Sequence, residues 1–237
     1  MTKFFPILLS FFLFPIILHA QSKDAFEIQM NVYKASVKNF DLFTAASALY
    51  NALAIKPERK DLKDSLAFVY FTAERYPQAL TVGEEILKDN PNKKEILEVI
   101  AISKQSLGLI KESLADYETI YKMKPSVYYL YQIATLQFQL KRIGECLISL
   151  DQIIANPDAA KEVVSIRTQN NESQKVPLKA AALNVKGIIY LELNKDAEAK
   201  GFFQEALSVY PEFVLPKGNL GLLEKRAKNQ SAVSPEK

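Results

Sequence analysis

Residues 183–211, LNVKGIIYLELNKDAEAKGFFQEALSVYP, carry two helical patterns joined by a polar turn and closed by a proline. Leu183, Gly187 and Tyr190 recur at helical spacing in the first pattern, and Ala199, Phe203 and Ala206 in the second. Gly187 and Ala199 are small where two helices would cross closely. Leu183, Tyr190 and Phe203 fill the space around that crossing. Pro211 cannot continue a helix interior and disfavours helix at the residue before it, so the second helix ends there.

The arrangement recurs upstream. Pro57, Pro91 and Pro125 lie 34 residues apart, Ala67 and Ala101 keep the same step, and Ala134 follows 33 later. That interval accommodates two helices of roughly 14 residues and two tight turns. The unit ending at Pro91 carries Leu66, Ala67, Tyr70, Tyr76 and Ala79. The next, ending at Pro125, has Leu97, Ile100, Ala101, Ser113, Tyr117 and Ile120, with Gly108 at its inter-helix turn. A fourth holds Ile133, Ala134, Ile143, Cys146, Leu150 and Ile153 before Pro157. Ala45, Leu49, Ala52 and Pro57 match the second helix of a first unit, whose first helix spans about Ala25 to Asn39.

This order of apolar, small, aromatic and proline residues resembles the tetratricopeptide repeat (TPR) family. The resemblance implies an all-α fold, a right-handed α-solenoid of TPR helix–turn–helix repeats. Units 1–4 cover 21–157, and unit 5 with a C-terminal capping helix covers 178–227, leaving 228–237 as a disordered tail. Asn219-Leu220-Gly221 reads as the first half of a sixth unit. Lys186 departs from the family pattern, which prefers a leucine-like residue there, and predicts a partly wet face.

The phase breaks once, at an insertion over 158–177. Val164-Ser165-Ile166-Arg167-Thr168 alternates apolar and polar, Asn170-Asn171 offers turn chemistry, and Val176-Pro177-Leu178 follows. The order predicts a short β-hairpin projecting between repeats; an extended helix ending in a loop is the alternative.

Residues 1–20 read as a secretory signal peptide. Lys3 supplies the positive charge, Phe4 to Leu18 is free of charge, and Ala20 precedes the cut. The run is short for a membrane span of about 20 apolar residues, and Pro6 and Pro15 interrupt it. Removing it deletes His19, the single histidine, and lowers the net charge from +3 to +2 by the loss of Lys3. What remains has one cysteine, Cys146, placed as a small buried hydrophobe. It lacks a histidine for Ser–His or Cys–His chemistry and a credible ligand set for a metal. Neither a cofactor nor nucleic acid is expected of so balanced a chain.

In TPR arrays the first helices line a concave groove. Carried onto this sequence, the family's groove positions fall at Asp64, Phe68 and Phe71; at Glu95, Glu98, Ile102 and Gln105; at Tyr128, Tyr131, Thr135 and Phe138; and at Asn184, Ile188 and Leu191. The resemblance therefore implies an aromatic groove, acidic at one side. The two-lysine, two-asparagine and arginine clamp of chaperone-binding TPR proteins is matched only by Asn184, so a carboxylate grip is not expected. The reading is an exported, non-enzymatic scaffold, periplasmic or secreted, that holds a protein or peptide segment. The alternatives are an adaptor self-associating through its end helices and a glycan-cleaving enzyme using carboxylates alone.

Overall fold

The computed structural model describes residues 14–168 and 172–233, with side chains from 25 to 168 and from 172 to 229. Its helices follow one another with a single two-stranded interruption, in two compact units, one ending at Leu109 and the other beginning at Ile110. The first unit holds α1 (Phe14–Lys38), α2 (Leu42–Ile55), α3 (Asp61–Thr72), α4 (Tyr76–Asp89) and α5 (Lys94–Ser106). The second holds α6 (Ile110–Met123), α7 (Val127–Gln139), α8 (Ile143–Ala155), a 3₁₀ turn at Pro157–Ala160, β1 (Val163–Arg167), β2 (Ser173–Pro177), α9 (Leu178–Glu192), α10 (Asp196–Val209) and α11 (Val214–Val233). The division falls at the Gly108 turn, between the two helices of the third repeat.

Each second helix stops two residues before its proline. Ile55 precedes Pro57, Asp89 precedes Pro91, Met123 precedes Pro125, Ala155 precedes Pro157, and Val209 precedes Pro211. Proline pushes its predecessor out of the helical region, and Lys56, Asn90, Asn156 and Tyr210 have ψ between 79° and 125°. First helices end by a second shared device. Phe40, Glu74, Gly108, Lys141 and Asn194 all have positive φ, at successive intervals of 34, 34, 33 and 53 residues. The amide after each of them reaches back five residues to a carbonyl, as in Arg75 N–H to Tyr70 O at 2.8 Å and Lys195 N–H to Tyr190 O at 2.9 Å. The longer last interval contains the insertion.

In the first unit, Ala45 and Leu49 of α2, Leu66 and Ala67 of α3, Val82 and Ile86 of α4, and Ile96 and Ile100 of α5 share one core. In the second, Ala134, Cys146, Leu150 and Ile153 pack with Val176, Leu178, Ala181 and Phe213.

The insertion is a hairpin, not an extended helix. Antiparallel pairing sets Val164 opposite Val176 and Ile166 opposite Gln174. It does not project as the sequence reading expected. Val176 is fully buried, and Val164 and Ile166 pack against the core of the second unit, because the period of two puts all three on one face. The Gln174 side chain also ties the hairpin to the α10–α11 turn, donating to Glu212 O at 2.6 Å and accepting from Val214 N–H at 3.2 Å. Asn170 and Asn171 lie outside the described residues.

Residues 1–13 of the expected signal segment also lie outside them, and Phe14–Ala20 form the start of α1. Among the described residues no helix is long and apolar enough to cross a membrane. Helix α11 continues to Val233, six residues past its expected end at 227, and 234–237 lie outside the described residues.

Candidate functional site

The groove positions divide into surface and core. In the first unit Phe68 is 41% exposed on α3, and Phe71 is half-buried with its ring edge-on to Tyr76 at 6.2 Å. Ile102 and Gln105 on α5 are half-buried as well. The expected acidity is largely neutralised locally: Asp64 pairs with Lys93, and Glu98 with Lys94 at 2.9 Å.

In the second unit α7 is started by Ser126, whose Oγ accepts the Tyr129 N–H at 3.2 Å. Tyr128, Thr135 and Phe138 emerge half-buried from this helix. Phe138 lies against the core on one side, with the Lys141 ammonium 5.1 Å from its ring. The Thr135 hydroxyl donates to Gln132 O, three residues back on its own helix, at 2.8 Å. Tyr131 differs from its neighbours. It is 7% exposed, packs with Ala134, Cys146 and Leu150, and burial pushes its phenol up to about 12. A partner reaches it only if the core repacks.

Asn184 is likewise interior, at 3% exposed, with its carbonyl oxygen accepting from Asn219 Nδ2 of α11 at 3.2 Å. The capping helix covers this expected groove position. Ile188 is half-buried against Ala199, Phe203 and Leu223. Lys186 is not on a wet face: its ammonium pairs with Asp151 and lies 4.7 Å from the Phe202 ring, leaving the side chain 14% exposed. A long aliphatic stem lets it fill a leucine position and still place its charge on a carboxylate.

Two features were not read from the sequence, one polar and one aromatic. Ser149 Oγ donates to Gln137 Oε1 at 2.9 Å inside the second unit, joining α7 to α8. Phe40 and Phe43, in and after the α1–α2 turn, are 84% and 64% exposed. Aligning the five turn residues would have singled out Phe40, because it stands where the other repeats have Glu, Gly, Lys and Asn.

The chain has the TPR solenoid fold. Similar solved structures include a TPR protein from Parabacteroides merdae, with a TM-score of 0.67 and 18% identity, covering 88% of this chain and 77% of that one. YrrB, described as a TPR protein with an unusual peptide-binding site, aligns with a TM-score of 0.62 at 13% identity, over 81% of this chain and 90% of its own. MamA gives 0.61 at 11% identity, over 80% and 94%. No protein-family model and no curated protein matches the sequence.

Proposed function

We propose that this chain is an exported, non-enzymatic scaffold that binds an apolar peptide or protein segment on its first-helix faces. The row of half-exposed side chains on α7, Tyr128, Thr135 and Phe138, carries this reading, with Phe68 and Phe71 as its counterpart on α3. Aromatic rings give large contact area at low entropic cost, and the nearby charges are already paired within the chain. The ligand is therefore held by its apolar side chains, not by a terminal carboxylate. Peptide binding by a structural neighbour is consistent with such a use of the fold. Export rests on the signal-like residues 1–20.

Site-directed photo-crosslinking tests the surface. A photoreactive residue at Thr135 or Phe68 should trap the same envelope protein, and one at Glu84, on a second helix, should trap none. Equal trapping from all three sites would remove the first-helix surface from consideration. Cell fractionation checks export separately: the chain should leave the cytoplasm about 20 residues shorter.

A further inference from the structure

The turn between α1 and α2 departs from its four counterparts. Glu74, Gly108, Lys141 and Asn194 are polar or small, and glycine and asparagine also tolerate the left-handed backbone. The first repeat places Phe40 there, at φ 57° and 84% exposed. Phe43 is 64% exposed, whereas the same offset in the other repeats gives Pro77, Lys111, Gly144 and Ala197. The Arg75 guanidinium lies 4.8 Å from the Phe43 ring and has no carboxylate partner among the described residues. A bulky side chain in this backbone region is strained, and a ring in water recovers nothing from its own chain. Such an outlier points to a contact outside the molecule.

At the C-terminal end, α11 is the first helix of a sixth repeat that has no second helix among the described residues. Between α10 and α11 lies an open cavity of about 280 Å³ lined by Ala197, Leu220, Leu223 and Ala227 together with Asp196, Lys200 and Glu224. An apolar cavity of about 150 Å³ is enough to hold a benzene ring. The space is therefore sufficient for a phenylalanine side chain.

We propose that these features are the two halves of one contact between copies of this chain: Phe40 and Phe43 of one copy enter the cavity between α10 and α11 of the next. The occupant is a second copy because knob and hole are both present on the same chain. Arg75 beside the knob has Glu224 of the cavity lining as a carboxylate to meet, neither being ion-paired among the described residues, and Lys200 of the same lining leaves the edge mixed in charge. Knob and hole lie on different repeats, so the contact is head-to-tail. A dimer joined by one such contact retains one free knob and one free hole and extends further unless it closes into a ring. This contact is separate from the first-helix surface proposed above and stands or falls without it.

Sedimentation velocity tests it on the chain purified with the N-terminus that the cell leaves on it. Wild type should move from monomer to a series of larger species as concentration rises. Phe40→Asn with Phe43→Ser removes the knob, and Ala197→Arg fills the hole. All three positions are exposed, so each variant should keep the wild-type circular dichroism and remain monomeric. An equimolar mixture of the two variants retains one working knob and one working hole, and it should form a one-to-one dimer and nothing larger. A wild-type chain that stays monomeric at every concentration overturns the proposal. So does association retained by either variant, or a mixture that remains monomeric.

Discussion

The Phe203 ring rests directly on the backbone of Gly187: a Cβ placed on that glycine would lie 2.5 Å from Cε1 and 2.7 Å from Cδ1. Phe203 is fully buried, so it cannot swing away. Gly187→Ala should therefore destabilise the second unit by about 1–3 kcal/mol despite alanine's better helix propensity. Gly201, in the middle of α10, has nothing within 4 Å of its built Cβ. There the same change should stabilise by about 0.5–1 kcal/mol. Urea unfolding of both variants checks the pair, and shifts of the same sign would refute the packing argument.

The left-handed turns respond to the opposite rule. Gly108→Ala puts a Cβ at φ 78° and should cost about 1 kcal/mol. Glu74→Gly relieves φ 56° and should gain several tenths of a kcal/mol, the remainder being offset by glycine's greater freedom in the unfolded chain. Thermal melts of the two variants should move in opposite directions.

Gln174→Ala removes both hydrogen bonds from the hairpin to the α10–α11 turn. The expected loss is about 1–2 kcal/mol. Hydrogen exchange should locate it at the Val214 amide and the first turn of α11, with α7 and α8 unaffected. Uniformly faster exchange across the second unit would show that the hairpin is not a local brace.

Tyr131→Ala empties a core position and should cost about 3–5 kcal/mol. Thr135→Ala, at a half-buried position on the same helix, should cost under 1 kcal/mol. Differential scanning calorimetry distinguishes them, and equal costs would place Tyr131 on the surface.

Cys146 is fully buried, and burial pushes its thiol up to about 12. The protonated form does not attack, so the thiolate needed for reaction is scarce at pH 8. A disulfide reagent should label the folded chain negligibly and label it fully in denaturant. Rapid labelling of the folded chain would contradict the burial.

The periodic prolines by themselves determined the ends of the second helices, because the restriction on the residue before proline is local and needs no tertiary partner. The hairpin strands were legible for the same reason, through the alternation Val164-Ser165-Ile166-Arg167. Repeat phase also located Gly187, Ala199 and Phe203 at one crossing. Which groove residues face water was not legible. Tyr128 and Tyr131 lie on the same helix with the same chemistry, yet only Tyr131 is closed over by its neighbours. Asn184 is buried by Asn219, 35 residues away, and Lys186 is drawn inward by Asp151, also 35 residues away. Phe40 is left in water because no helix among the described residues covers it. By itself the sequence determined where the helices and turns occur, since local sterics and helical periodicity set those. Only the tertiary structure decided which side chains remain free to bind, because exposure depends on contacts between residues that the chain order keeps apart.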